Sequence, residues 1–221
     1  MEKLKAFVTM RDRITWAIPM LEYLADSGLE VILIDNNSTY PKLLDWYDNQ
    51  KLYKVHRRKD NQIAWAFFKT ELFQTYPDRY FFISDSDYDY SKVPKDFINV
   101  LFKGLEVNDW KANKSGMSCE FNNLPDNAYT EIIKGHEVQF WNDKRGDYYR
   151  AWIDTGPAIY DRTVNNQNWY EAVRAERPYV VKHLDWYLTP ENVREEDLYY
   201  IEHGEYFGYA PLWKQMIYDK L

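Results

Sequence analysis

Cysteine is almost absent from this sequence, in which Cys119 is the only one among 221 residues. A single cysteine cannot form an internal disulfide bond, which excludes the small secreted scaffolds that disulfides hold together. No run of about 18 apolar residues occurs, the length that a membrane-spanning helix needs. Too few apolar residues follow Met1 for a signal peptide. We therefore expect a cytoplasmic protein without a transmembrane segment.

Basic residues and glycine are also scarce. Lys and Arg number 28 against 35 Asp and Glu, which gives a formal net charge of -7. Such a surface does not favour the phosphates of nucleic acid, so we expect no nucleic-acid polymer as partner. Glycine numbers 8, and no glycine-rich phosphate loop follows the first predicted strand. An anionic ligand must therefore be bound by local groups.

Aromatic residues, in contrast, are abundant at 18% of the chain, and hydrophobic residues reach 45%. This composition and length favour a globular protein with one core, and we expect a single domain over residues 1–221. Tyrosine and tryptophan combine an apolar face with a polar tip, which suits flat amphipathic ligands such as sugars and nucleobases.

The first 105 residues alternate between strand and helix patterns. Strands are predicted over residues 5–9, 29–34, 52–55 and 80–83. Helices are predicted over residues 15–27, 41–49, 63–75 and 94–102. This alternation predicts right-handed crossovers and an α/β fold, Rossmann-like, with a mostly parallel sheet flanked by helices.

Residues 106–221 follow a different pattern. Short strands are predicted over residues 116–121, 137–141, 148–153, 157–160 and 179–181. Helices are predicted over residues 165–175 and 190–203, the second with Thr189 as its N-cap. We expect a mixed, partly antiparallel second half that extends the same sheet.

The sharpest motif is Asp85-Ser86-Asp87, which follows the buried strand pattern 80–83. Ligands of open α/β sheets bind outside the carboxyl ends of the strands, where this motif lies. Two carboxylates two residues apart can hold a divalent cation that bridges a diphosphate. A polar turn is the alternative for an isolated pair, but three nearby carboxylates, with Asp89 as the third, favour a counter-ion.

Two further polar segments end predicted strands. Asp35-Asn36-Asn37-Ser38 can hydrogen-bond a base or ribose, or form an Asx-turn. The cluster 56–59 (His-Arg-Arg-Lys), which contains Arg57, can bind a nucleotide's phosphates or base, or form a solvated loop. Both alternatives remain open in the sequence.

Three stretches in register resemble the nucleotide-binding half of a GT-A glycosyltransferase, closest to the family 2 type. They read AFVTMRDR from Ala6, VILIDNNS from Val31 and FFISDSD from Phe81, and the resemblance covers about the first 105 residues. It implies that Asp85 and Asp87 are a DxD pair that holds Mn²⁺ or Mg²⁺, with Asp87 the more direct ligand. The predicted donor-binding set is Thr9, Arg11, Asp35, Arg57, Asp85 and Ser86.

The second half then supplies the acceptor side. Residues 177–187 (RPYVVKHLDWY) are similar to a segment of small glycosyltransferases that build surface polysaccharides. This resemblance implies that His183 completes the metal shell beside Asp85 and Asp87; a partly buried loop histidine is the alternative. Trp152 can stack on a sugar face, or serve packing alone.

An inverting transferase needs a carboxylate that takes the acceptor's proton. Asp154 follows a predicted strand and borders Gly156, which would let a ligand approach, so we favour it as the base, with Asp185 next. The family 2 pattern of a Glu-Asp pair before a tryptophan is not matched, because Leu184 precedes Asp185. Inversion and retention therefore both remain open.

The sequence thus predicts a metal-dependent glycosyltransferase, of hexosyl or deoxyhexosyl type. Its donor would be a nucleotide diphosphate sugar, UDP-linked by the resemblance, and its acceptor a hydroxyl of a glycan. One alternative is a nucleotidyltransferase that makes nucleotide sugars, although such enzymes normally carry a glycine-rich loop. The other is a non-catalytic glycan-binding module. The transferred sugar, the linkage and the oligomeric state stay open.

Overall fold

The computed structural model describes residues 3–62, 66–68, 71–107, 111–164 and 168–204, together with residue 215. Within these residues the strands are β1 (Lys5–Met10), β2 (Glu30–Asp35), β3 (Lys54–Arg57), β4 (Tyr80–Asp85), β5 (Tyr88–Asp89), β6 (Lys114–Cys119), β7 (Lys144–Arg145), β8 (Tyr148–Trp152), β9 (Ala158–Asp161) and β10 (Glu171–His183). The helices are α1 (Ala17–Asp26), α2 (Pro41–Asn49), α3 (Glu71–Thr75), α4 (Phe97–Glu106), α5 (Ala128–Glu137) and α6 (Glu195–His203). None of these helices combines the length and the apolar character needed to cross a bilayer.

The strands belong to one mixed sheet with the order β3-β2-β1-β4-β9-β6-β10-β8-β7, and β5 pairs with β10 outside this path. The neighbours β3, β2, β1 and β4 run parallel to one another. Beyond β4 the pairs β4–β9, β6–β9, β8–β10 and β7–β8 are antiparallel, whereas β6–β10 is parallel. The predicted α/β class, with a parallel first part and a mixed second part, is confirmed.

The central strands are apolar on both faces because each face is covered. Side chains of β1 alternate between two core clusters: Ala6 and Val8 pack in one, whereas Phe7 packs in the other against Phe67 and Phe81. Burying a valine or phenylalanine side chain such as Val8 or Phe7 contributes about 1.5–3 kcal/mol relative to an exposed one. A sheet covered on both faces requires the continuous apolar runs that the sequence shows at these strands.

Four predicted elements differ most from the structure, two of them in kind, whereas smaller shifts affect others, such as the helix predicted over residues 94–102, which is α4 (Phe97–Glu106). Residues 165–175 were predicted as a helix, but Glu171 begins the long strand β10, and residues 165–167 lie outside the described residues. Pairing with β6 and β8 on either side outweighs the helix propensity of its alanine, glutamate and arginine residues. Residues 137–141 were predicted as a strand, but they end α5 and form a 3₁₀ helix.

The other two differences concern length. The predicted helix 63–75 is reduced to α3, with residues 66–68 in a turn and residues 63–65 and 69–70 outside the described residues. The predicted helix 190–203 begins at Glu195, because the Asn192 side chain accepts a hydrogen bond from Thr189 N and holds a turn there. Thr189 is therefore not the N-cap of α6.

Candidate functional site

A cleft of about 220 Å³ lies at the carboxyl ends of the parallel strands. The register of the sheet brings these ends together, since Thr9 in β1 pairs with Asp85 in β4, and Met10 pairs with Asp35 in β2. Six residues predicted from the sequence line the cleft: Thr9, Arg11, Asp85, Ser86, Asp87 and Asp154. These six residues therefore surround one concave surface at this edge of the sheet.

Asp12 fixes the two loops that leave β1 and β2. Its carboxylate Oδ1 accepts hydrogen bonds from the backbone N–H groups of Thr39 (2.6 Å) and Tyr40 (2.9 Å), while its own N–H donates to Ser38 Oγ (3.0 Å). Asp12 and Asn37 both adopt positive φ angles, of 56° and 64°, which aspartate and asparagine tolerate better than most residues. These contacts fix the backbone at Asp12 and thereby position its two neighbours in sequence, Arg11 and Arg13.

Amide groups form the wall of the cleft next to β2. Asn36 Nδ2 donates to Asn61 Oδ1 (2.7 Å), and Asn36 Oδ1 accepts from the backbone of Gln62 (2.9 Å). The guanidinium of Arg11 donates to the backbone carbonyl of Asn36 at 2.9 Å. Donors, acceptors and one positive charge are therefore fixed on this side of the cleft.

Two other carboxylates, those of Asp87 and Asp154, act on Asp85. Thr155 Oγ1 donates to Asp85 Oδ2 at 2.9 Å, and Asp154 precedes Thr155 in the chain. Burial, and then the negative charges of Asp87 and Asp154, raise the pKa of Asp85 to about 7. Such a concentration of acidic groups favours a bound cation.

Arg13 joins Asp87 to Asp185. Its guanidinium donates to Asp87 Oδ2 at 3.1 Å and to both carboxylate oxygens of Asp185, at 3.3 Å for Oδ2. The guanidinium also contacts the ring face of Tyr200, 4.3 Å from its centroid. Burial disfavours the charged form of Asp185, but the charges of Arg13 and His183, together with hydrogen bonds to the carboxylate, outweigh burial and lower the pKa of that carboxyl. For Asp87, burial predominates and raises the pKa despite His183 and Arg13.

His183 reaches this group because β5 pairs with the end of β10. In that pairing His183 lies opposite Tyr88, and Leu184 N donates to the carbonyl of Asp87 at 2.7 Å. The imidazole stacks on Trp186 with ring centroids 4.9 Å apart and meets the Tyr88 ring edge-on. Its Nε2 lies 3.9 Å from Asp87 Oδ2. The histidine ring is thus held beside the second aspartate of the motif.

Asp87, His183 and Asp185 form a group whose geometry fits a metal ion. Each offers one potential ligand atom, and these atoms all lie within 4.8 Å of one another. Asp87 Oδ1 and His183 Nδ1 are buried and have no hydrogen-bond partner among the residues that the structure describes. Carboxylate oxygen and imidazole nitrogen are suitable ligands for Mn²⁺, and carboxylate oxygen for Mg²⁺. The sequence predicted Asp85, Asp87 and His183 as metal ligands. The group in the structure contains Asp87 and His183, but its third member is Asp185 and not Asp85.

Two residues of the predicted donor-binding set do not line the cleft. Asp35 is only 3% exposed, and its Oδ1 accepts hydrogen bonds from Ser38 N (3.3 Å) and Tyr47 Oη (3.4 Å). Arg57 at the end of β3 forms an ion pair with Asp48 on α2 at 2.8 Å. Their contact with a nucleotide stays a prediction, which would require these side chains to exchange partners.

Asp154 is exposed on the wall of the cleft, but Gly156 beside it has a different use from the predicted one. A Cβ atom at Gly156 would lie 2.2 Å from the carbonyl oxygen of Ile83 in β4. The glycine therefore permits close packing of two backbone segments and does not admit a ligand. Asp154 is positioned by this packing and by Lys114, whose Nζ donates to the Asp154 carbonyl at 2.9 Å.

Five further residues line the cleft: Arg13, Asn36, Asn61, Thr155 and Tyr200. Asn36 belongs to the segment predicted to bond a base or ribose or to form a turn, whereas sequence reasoning assigned no role to the other four. Asn36 and Arg13 lie in segments that carry the family resemblance, so their positions at the strand ends were a usable signal. Asn61, Thr155 and Tyr200 lie in loops or on α6, and their places depend on tertiary packing that no local pattern encodes.

Comparison with models of known protein families gives no match, and no curated protein matches the sequence. Among solved structures, the chain is similar to crystal structures of S. aureus TarS. One structure of TarS residues 1–349 is 13% identical over 72% of this chain and 47% of that one, with a TM-score of 0.42. The TarS structure is 12% identical over 99% of this chain and 42% of that one, with a TM-score of 0.47. The complex of TarS 1–349 with UDP is 12% identical over 99% of this chain and 70% of that one, with a TM-score of 0.46.

The chain thus spans less than half the length of the first two of these structures. At TM-scores below 0.5, the similarity carries no argument about fold or function.

Proposed function

We propose that this chain is a metal-dependent glycosyltransferase of the GT-A type, which moves a sugar from a nucleotide diphosphate donor to a hydroxyl of a glycan acceptor. The observation that carries the proposal is the metal-compatible group of Asp87, His183 and Asp185 beside a cleft at the carboxyl ends of parallel strands. The donor is UDP-linked, as the sequence resemblance implies.

The donor's nucleotide would lie along the wall formed by the β1 and β2 loops. Asn36 and Asn61 present amide groups there, which can pair with a base or a ribose hydroxyl. Arg11 adds a fixed positive charge on the same wall, suited to a phosphate. Asp85, Ser86 and the neighbouring Asp87 would then face the diphosphate.

In a single displacement, the acceptor hydroxyl oxygen bonds to the anomeric carbon of the sugar while the bond from that carbon to the diphosphate oxygen breaks. The electron pair of the broken bond stays on the diphosphate, and the hydroxyl proton passes to a carboxylate. Mn²⁺ or Mg²⁺, when held by Asp87, His183 and Asp185, would supply positive charge to the departing diphosphate. Arg13 donates hydrogen bonds to Asp87 and Asp185, which orients both carboxylates and favours their ionised forms.

Of the two predicted bases, Asp154 fits this role better than Asp185. Asp154 is exposed to the cleft, and its Oδ1 accepts a hydrogen bond only from the adjacent Thr155 N–H among the hydrogen bonds described. Asp185 accepts hydrogen bonds from Arg13 at both oxygens, and its lowered pKa makes it a weak proton acceptor. We therefore assign the proton transfer to Asp154 and a ligand position to Asp185.

Asp87→Asn tests the proposal, because it keeps the shape of the side chain and removes its charge. Hydrolysis of UDP-glucose, UDP-galactose and UDP-N-acetylglucosamine would be followed with Mn²⁺ present. We expect the wild-type chain to hydrolyse at least one of these donors, and Asp87→Asn to lose about 100-fold or more of that rate.

Asp89→Asn is the matched control. Asp89 lies two residues further along, and its carboxylate accepts from Ser91 N at 2.8 Å without belonging to the metal-compatible group. This variant should keep the wild-type rate. Full activity of the wild type in EDTA, or unchanged activity of Asp87→Asn, would contradict the proposed metal dependence.

A further inference from the structure

A second cavity, of about 340 Å³, lies beside β8 and the beginning of β10. Phe140, Trp152 and Glu171 are among the residues that line it. Trp152 ends β8, and Asp154, two residues later, lines the cleft described above. Because extended backbone rises about 3.3 Å per residue, the Cα atoms of Trp152 and Asp154 are at most about 7 Å apart. The second cavity is therefore a neighbour of the cleft.

Two exposed aromatic rings form a platform at this cavity. Trp152 and Tyr170 are each 50% exposed, and in the described part of the chain they are the only aromatics among the exposed large hydrophobic residues. Their ring centroids lie 5.8 Å apart with an angle of 33° between the planes. Phe140, which is buried, packs against Trp152 at 6.1 Å. Exposed, adjacent aromatic faces of this kind are suited to a ligand with an apolar face.

The platform is held rigidly by the sheet. Trp152 pairs with Glu171 in the register of β8 and β10, and Ile153 N donates to the Tyr170 carbonyl at 2.8 Å. The Trp152 carbonyl accepts from Arg174 Nε at 2.8 Å, and Arg174 is a buried partner of Glu137. A ligand that binds the rings therefore does not have to order the backbone beneath them, which favours affinity.

The charged side chains around the platform form ion pairs with one another. Arg150 Nε donates to Glu171 Oε1 at 2.7 Å, and Arg145 pairs with Asp143 at 2.8 Å. Asn168 and Gln139 add uncharged amides at the cavity wall. Because each carboxylate already has a basic partner, a charged ligand gains little here, whereas hydroxyl groups can bond to amide and carboxylate oxygens.

From these features we infer that Trp152 and Tyr170 form a binding site for an uncharged glycan. A sugar ring stacked on Trp152 would bring the rest of the bound glycan close to Asp154. The identification of this glycan as the acceptor rests on the proposed glycosyltransferase function; binding of the glycan itself does not.

The test is glycan binding by the full chain without nucleotide. An array would present neutral oligosaccharides of glucose, galactose, mannose, rhamnose and N-acetylglucosamine, together with acidic ones that contain uronic or sialic acid. The strongest ligand would then be titrated by calorimetry into the wild type, Trp152→Ala and Tyr170→Ala. We expect a neutral glycan to bind, and each substitution to weaken binding about tenfold.

Leu52→Ala is the control, since Leu52 is 82% exposed in a different part of the chain and should leave the affinity unchanged. Absence of glycan binding, binding of acidic glycans only, or binding that survives both aromatic substitutions would overturn the inference. UDP binding in the presence of Mn²⁺, measured on the wild type and on Trp152→Ala, distinguishes the two proposals. If the wild type binds no UDP, the transferase proposal is refuted and the glycan site stands. If the wild type binds UDP but no glycan, the glycan site is refuted and the transferase proposal stands.

Discussion

Arg13 is the cation on which the acidic groups around the cleft depend. It is 6% exposed, bonds to Asp87 and Asp185, and lies 3.9 Å from Asp197 Oδ1. Arg13→Met would leave these buried carboxylates without their positive partner. We therefore expect the free energy of unfolding, measured by denaturant titration in EDTA, to fall by about 3–5 kcal/mol.

Arg13→Lys should lose less stability than Arg13→Met, because lysine keeps the charge but cannot present a planar fork to two carboxylates. Arg57→Met is the control, since the Arg57–Asp48 ion pair is exposed and should contribute less than about 1 kcal/mol. An Arg13→Met variant as stable as Arg57→Met would show that Arg13 is not the counter-ion we describe.

Lys114 is fully buried, which is unusual for a lysine. Its side chain is enclosed in the sheet, with Nζ 4.5 Å from the centroid of Trp169 and hydrogen-bonded to the Asp154 carbonyl. Burial lowers the pKa of Lys114 to about 7. In the unfolded chain the pKa is about 10.4. Between these values the unfolded state binds more protons than the folded state.

Stability should therefore rise with pH from about 7 to about 10, and this contribution should be lost as the pH falls towards 7. The rise is up to about 4 kcal/mol over this interval. Denaturant titrations at several pH values check it, with Lys114→Met as the reference that lacks the titrating group. Parallel pH profiles for the wild type and Lys114→Met would refute the assignment.

Close packing of β4 against the segment before β9 depends on Gly156. A methyl group there meets backbone atoms of Ile83 and Ser84, at 2.2 Å and 3.1 Å, and backbone cannot move aside as a flexible side chain can. We expect Gly156→Ala to lower the free energy of unfolding by about 1–3 kcal/mol. Thermal or denaturant unfolding measures this loss.

Gly135 gives the opposite expectation within the same chain. It lies in α5, and a Cβ atom there meets nothing within 4 Å. Gly135→Ala should raise the free energy of unfolding by about 1 kcal/mol or less, because alanine is the better helix former. A loss of stability at position 135, or none at position 156, would contradict the packing described.

Most first-half elements, apart from the helix predicted over residues 63–75, were predictable because their local signals agree with their tertiary surroundings. Residues 31–34 form a continuous apolar run, and β2 is indeed covered on both faces. The helix α5 was missed although Asn127 and Thr130 form a capping box, a signal visible in the sequence. For β10 only residues 179–181 were predicted as strand; its first part carries no such local signal, since Ala172 and Ala175 become strand residues through pairing with β6 and β8.

The candidate site was predictable where it follows strand ends and unpredictable where distant segments meet. Asp85 and Asp87 could be selected because they end a buried strand in a parallel sheet. The place of Arg13 at a strand end was a usable signal, but its ion pair with Asp185 was not predictable, because the two residues are 172 apart in sequence. The contact between Arg13 and Asp185 also distinguishes the two predicted bases. Asp185 is occupied by this contact, whereas Asp154 is exposed to the cleft.

The chain as a whole should bind a nucleotide diphosphate only together with a divalent cation. Its net charge of -7 opposes an anionic ligand, and Asp85, Asp87 and Asp154 add negative charge within the cleft itself. Calorimetric titration of UDP into the full chain, with Mn²⁺ or with EDTA, measures this directly. We predict saturable binding with Mn²⁺ and none with EDTA. Equal UDP affinity under both conditions would contradict the account.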